Sequence, residues 1–327
     1  MESPSFRDLY YSGTLLILGN GFDLDLGFKT RYEDFFKSDK FPFVNHDESC
    51  HDLGHFIYDC GVQEKWYDLE NLLGIYGAEK CSTNADIEGD KEDFHRIIDG
   101  FASYLKNVIF LPDIDVHSVA ARVLKAADTP LLSPQVYSFN YTNFDEVTSQ
   151  LHLSNFSCKY VHGSLNNPKS IVLGVGEYVN LKSNATYLYK TSNPRYNSQN
   201  LLTVYPYYDT IIIYGLSMSQ VDYPYFEDFF RDVSERTFMG DRRKYIRIFT
   251  YDEQSRMDIL DNIRKMNRGM VKLMGYSDFD IIRTKDNMDE TKVGEVLHRL
   301  EQRWDVSREA DSICADYPPD PPRSSGD

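Results

Sequence analysis

Residues 14–36 read TLLILGNGFDLDLGFKTRYEDFF. The first five are apolar and end at Gly19, long enough for a strand buried on both faces and too short for a helix. Tyr32, Phe35 and Phe36 then recur at helical spacing, so a strand, a glycine turn and a helix follow in order. Glycine at 19 and 21 lets the backbone come close to a phosphate and aims free amides at it. A Gly21→Val variant should therefore bind nucleotide more weakly and keep its fold. The turn does not reach the dinucleotide pattern G-x-G-x-x-G, because position 24 is Leu24 and the next glycine is Gly27. No G-x-x-x-x-G-K-[ST] loop occurs in the chain, and a plain tight turn is the other reading of G-x-G alone.

Outward from that turn, the pattern from about residue 41 to residue 130 is mostly helical. Phe94, Ile97, Ile98, Phe101, Leu105, Val108 and Ile109 fall on one stripe, and Val116, Val119, Val123 and Leu124 on another. Strand-like runs resume at 135–139, 159–161, 171–173, 210–214 and 245–250, with a last one near Asp280. Between them, Tyr225, Phe226, Phe229, Phe230 and Val233 make one helix and Met257, Leu260, Ile263 and Met266 another. Strands alternating with helices give an α/β fold, a mostly parallel, Rossmann-like sheet with helices on both faces. The expected organisation is one domain over residues 1–306 with a helical insertion at about 41–130. Residues 307–327, polar and rich in Pro, Ser and Asp, are expected to form a disordered tail.

Composition narrows the function classes. The chain has 327 residues, with 51 Asp plus Glu against 35 Lys plus Arg, a formal charge of −16. That balance repels a phosphate backbone at long range and argues against non-specific nucleic-acid binding. No basic-then-apolar leader and no apolar run of about 20 residues is present, so the expected location is cytoplasmic, without a membrane partner. Cys50, Cys60, Cys81, Cys158 and Cys314 are odd in number and irregularly spaced, as reduced thiols are. His46, Cys50, His51, His55 and Cys60 cluster without a zinc-ligand spacing, and no metal is expected there.

Several polar turns follow the apolar runs: Ser138-Phe139-Asn140-Tyr141-Thr142, Val161-His162-Gly163-Ser164, Gly174-Val175-Gly176 and Tyr214-Gly215-Leu216-Ser217. In a parallel sheet such turns converge on one edge, where open α/β sheets bind ligands. Read alone, Asn140 is a turn former, His162 a turn histidine bonded to backbone, and Asp222 a helix N-cap.

The segments LILGNGFDLDLGFKTRYEDFF, Trp66 and Glu70 in WYDLE, SFNYTNFDEV, VHGSL with IVLGVGE, and IIIYGLSMSQVDYPYFEDFF together resemble the AbiH abortive-infection family. That family in turn is similar to the sirtuin-like proteins, whose pocket holds NAD. The resemblance implies that Gly19, Asn20, Gly21 and Asp23 hold the cofactor's phosphates and ribose. It implies that Asn140 orients the nicotinamide end or a water, that His162 is the general base, and that Gly215 and Ser217 meet the far phosphate or adenosine ribose. Asp222 becomes a pocket candidate.

The implied function is phage defence by binding NAD or a related nucleotide and hydrolysing it to nicotinamide and ADP-ribose. Such a hydrolase needs orientation and one base near neutral pH rather than a strong nucleophile. The alternative is a nucleotide-sensing module without turnover, whose helical insertion docks a toxic partner. Expected partners are the nucleotide and either further copies of the chain or another protein of the defence system. Two departures matter. Leu216 stands where the family pattern has His, and no C-x-x-C zinc module exists, which disfavours deacetylation of peptide lysines.

Overall fold

Residues Gly13–Leu18 form β1, and everything after Gly13 in it is buried, as a two-sided apolar run requires. The computed structural model describes residues 13–43, 49–63, 68–82, 86–109, 114–128, 134–196, 201–235, 243–267 and 269–315. Beside β1 lie β2 (Gln135–Ser138), β3 (Ser157–Tyr160), β4 (Tyr208–Tyr214), β5 (Tyr245–Thr250) and β6 (Asp278–Arg283), in the order β3-β2-β1-β4-β5-β6. Every pairing is parallel. The order reverses between β1 and β4, and that reversal opens a crevice at the carboxyl ends of the strands. The expected Rossmann-like α/β arrangement is what the chain adopts.

Strand alternation sends successive side chains to opposite faces. Leu16, Leu18, Ile212, Tyr214 and Phe249 pack on the side of α6 (Val119–Ala127) and α11 (Glu290–Ala315). Leu15, Ile17, Ile211, Ile213, Ile246 and Ile248 pack on the side of α8 (Tyr223–Val233) and α9 (Glu253–Asn267). Burying each such aliphatic chain contributes about 1.5–3 kcal/mol. The faces are therefore what fix the helices to the sheet.

After β1 come α1 (Asn20–Asp25) and α2 (Tyr32–Phe36), then α3 (Asp52–Val62), α4 (Leu69–Ile75) with a π-helical turn at Tyr76–Lys80, and α5 (Ile87–Ile109). These insertion helices share a separate core with α2 and with Ile171, Leu173 and Val175. The buried carboxylates Asp90 and Asp93 of α5 secure α3 by accepting from the amides of Leu53 and Gly54. The shorter helices α7 (Phe144–Gln150) and α10 (Val271–Tyr276) complete the fold.

Several sequence expectations need correction. Residues 171–173 are buried but belong to no strand; Ile171 and Leu173 pack into the insertion core, and the Val172 amide donates to the His162 carbonyl. Val116 is 42% exposed, since α6 begins after Ser118, whose hydroxyl caps it by accepting from Ala121 N. Met257 is 46% exposed, and Ile259 is buried with Ile263 and Met266 instead. The last helix continues to Ala315, past the point where the tail was expected to begin, and residues 316–327 lie outside the described set, as do His46, Trp66 and Pro130. Among the described residues, no helix is long and apolar enough to cross a membrane.

Candidate functional site

The glycine turn after β1 is stitched to the turn after β4. Gly19 N donates to Tyr214 O and Gly21 N to Gly215 O, both at 2.8 Å. A Cβ on Gly21 would lie 2.6 Å from Gly215 Cα, and one on Gly215, whose φ is +67°, would lie 2.2 Å from Phe22 N. Gly21 does not line the cavity beyond the turn, whereas Gly19 and Gly215 do. The glycine at 21 is thus required by contact between two backbones. That contact argues against the expectation that Gly21→Val would spare the fold.

At the strand-order reversal lies a cavity of about 530 Å³. Asn20, Asp23, Asn140 and His162 line it, and so do Ser217 and Asp222. Turns far apart in sequence meet here because each follows a parallel strand, and α4 and α5 of the insertion close the remaining side through Glu70, Phe101 and Leu105.

Asp23 is the acceptor at the centre of a buried network. Asn140 Nδ2 donates to Asp23 Oδ1 at 2.9 Å and to Gly19 O at 3.0 Å, and Thr142 Oγ1 donates to the same Asp23 oxygen at 3.2 Å. Burial raises the Asp23 carboxyl to about 7, against the lowering effect of its Thr142 and Asn140 hydrogen bonds. Asn140 is therefore more than a turn former: it ties the turn after β2 to the turn after β1. Thr30 Oγ1 donates to Asn20 Oδ1 at 2.6 Å and orders the start of the same loop.

His162 is 6% exposed and sits edge-on to Phe139 and Tyr225, with centroids at 5.6 and 5.8 Å. Its Nδ1 is buried without a hydrogen-bond partner, so that nitrogen makes no backbone bond of the kind expected of a turn histidine. Burial, and then the charge of Lys190, push its pKa well below the ordinary value. The imidazole is neutral at physiological pH, the form a general base needs before it takes a proton. Gly163 after it has φ +84°, and a Cβ there would lie 2.1 Å from Ser170 O, which fixes the tight turn.

Opposite lies a group that sequence reasoning did not assign. Lys190 Nζ is 2.9 Å from Glu70 Oε1, and both side chains are largely buried. Asp222 shares this wall; burial lifts its carboxyl to about 7, opposed by Lys190 and reinforced by Glu70 and Asp68. It precedes α8 without making a side-chain cap bond. Glu70 belonged to a segment that resembles the family, yet carried no role. Lys190 follows no motif, and no sequence signal marked it. Leu216 is buried, and its side chain fills the space beside Gly19. Among the described residues no group of three or more His, Cys, Asp or Glu is arranged to hold a metal ion.

No curated protein matches the chain. The model of the family described as bacteriophage abortive infection AbiH matches residues 15–239. That span runs from β1 through α8 and contains every cavity residue named above. With two thirds of its length matched, this chain belongs to the AbiH bacteriophage abortive-infection family.

Proposed function

We propose that this phage-defence protein binds NAD or a related nucleotide in the cavity at the strand-order reversal and hydrolyses its nicotinamide–ribose bond. The observation that carries the reading is His162, a buried neutral base with an unpartnered Nδ1, which lines a cavity at the carboxyl ends of β1, β2 and β4. The cavity's size falls within the range used for nucleotide-sized ligands, and Arg31, exposed at its rim, is suited to a phosphate. Asn140 has both amide hydrogens engaged by Gly19 and Asp23, which leaves its Oδ1 as the atom it can offer a ligand or a water. Cleavage releases nicotinamide as a neutral leaving group, so the site needs one base for the attacking water and no general acid.

The test is incubation of purified protein with NAD while free nicotinamide is followed. His162→Ala and Asn140→Ala should each lose release, by roughly 10²–10⁴ for a positioned base, and should still bind nucleotide. Tight NAD binding by wild type with no release under any condition, phage infection included, would favour the sensing module and its toxic partner.

A further inference from the structure

Two segments that resemble the family have no part in the chemistry above: Glu70 in WYDLE, and the Gly174-Val175-Gly176 loop. The fold brings them together. Lys190 Nζ reaches both Glu70 oxygens, at 2.9 and 3.0 Å. The amide of Gly174 also bonds the Glu70 carboxylate. Gly174 has φ +141°, and a Cβ there would lie 2.4 Å from Leu188 O, so a side chain would push that amide away. The segment carrying Lys190 is pinned to the same loop, because Val175 N donates to Leu188 O and Lys190 N to Val175 O, each at 2.9 Å. Glu70 is thereby held from two sides, on the wall of the cavity that His162 also lines.

A buried ion pair is a weak device for stability, since apolar residues of equal volume serve about as well. Here the pair sits in an unbalanced wall. Among the described residues that line the cavity, Asp68, Glu70 and Asp222 are accompanied by two cations, Lys190 beside Glu70 and Arg31, which is exposed at the rim. The independent sign of a ligand is His162, 6% exposed, lining the same space with Nδ1 unpartnered. Burial raises the Glu70 carboxyl above its ordinary value and the charge of Lys190 opposes that shift; a neutral base and a wall of carboxyl groups around one enclosed space fit a ligand that carries positive charge at the reacting centre.

We propose that Glu70 is a catalytic residue whose carboxylate faces the cationic ribosyl centre of a pyridinium nucleotide, with Lys190 and the Gly174 amide as its positioning groups. This rests on the hydrolytic reading of the same cavity. The bond from ribose carbon to pyridinium nitrogen breaks, its electron pair stays with the nitrogen, and nicotinamide leaves neutral. The positive charge passes to the ribosyl group, where Glu70 meets it. Water forms the new carbon–oxygen bond and gives its proton to His162. Interactions realised as that charge moves raise kcat rather than affinity alone.

Glu70→Gln keeps the shape and an acceptor for Lys190 but removes the charge. It should lower nicotinamide release by roughly 10²–10³, as loss of one electrostatic stabiliser does. Calorimetry with NAD, whose pyridinium is cationic, and with NADH, whose ring is neutral, gives a second readout. Glu70→Gln should weaken NAD by at least roughly tenfold more than NADH. Glu70→Asp, which retains charge but not reach, should keep the preference for NAD and lose turnover, so it decides the matter if Glu70→Gln does not fold. Unchanged turnover in a folded Glu70→Gln protein, or equal weakening of NAD and NADH, overturns the proposal while leaving the hydrolytic reading intact. If wild type binds NAD without cleaving it, the hydrolytic reading fails and the catalytic role of Glu70 fails with it, while the NAD-against-NADH comparison then reports only whether Glu70 recognises the pyridinium charge. Failure of wild type to bind either nucleotide overturns both.

Discussion

Replacing Asp23 by Asn should make the protein more stable, and increasingly so as pH rises. Burial lifts the Asp23 carboxyl from 3.8 to about 7 in the native state. Between those values the native protein keeps a proton that the unfolded chain has released, so native stability falls as pH rises through that window and levels off above about 7. At 1.36 kcal/mol per pKa unit, the cost grows from about 2 kcal/mol at pH 5 to about 4 at pH 8. An Asn side chain carries no such cost, and its amide oxygen can still accept from Asn140 and Thr142. Urea unfolding of both proteins at pH 5 and pH 8 measures the difference. Relative to wild type, Asp23→Asn should gain about 2–3 kcal/mol between the two pH values. Asp222 remains in both and contributes the same slope to each. Parallel pH dependences would show that Asp23 is ionised in the folded protein across this range, and the burial argument would be wrong.

Two further outcomes follow from the same geometry. Gly21→Ala should lower stability by about 1–3 kcal/mol, because its methyl group would meet Gly215 Cα at 2.6 Å in rigid backbone; an unchanged melting temperature would show that the seam yields. Lys190→Met should cost about 3–5 kcal/mol at neutral pH, because Glu70 would be left buried without its cation, and urea unfolding would read it. Less than 1 kcal/mol of loss there would mean that water or another cation reaches Glu70.

The sheet was legible where a strand is an apolar run punctuated by glycine or a polar turn, and β1, β4 and β5 lie where those runs predict, whereas β3 (Ser157–Tyr160) has no fully buried residue and begins two positions before the run expected at 159–161. The order of the strands was not, since pairing of β1 with β4 depends on contacts that no local pattern encodes. Residues 171–173 look like a strand because burial, rather than pairing, selects apolar residues. At the site, the convergence of Gly19, Asn140, His162 and Gly215 could be read from strand ends alone. The reason for Gly21 could not, because backbone contact and phosphate approach demand the same residue. Glu70 and Lys190 escaped assignment because they are 120 positions apart and pair only through the insertion core.

The position of β4 in the chain also governs when a newly made molecule becomes competent. Tyr214 of β4 donates to Asp25 across 189 residues, and the Gly19–Gly21 turn is completed by Gly215. At ribosomal speeds of about 5–20 residues per second, the first turn waits on the order of 10–40 s for its partner to be synthesised. During that interval β1, an apolar ribbon with one long flank uncovered, is open to pairing with other nascent chains. Any fragment that stops short of β4 lacks one wall of the cavity. On the reading proposed above, prematurely terminated products lack the site and are inert.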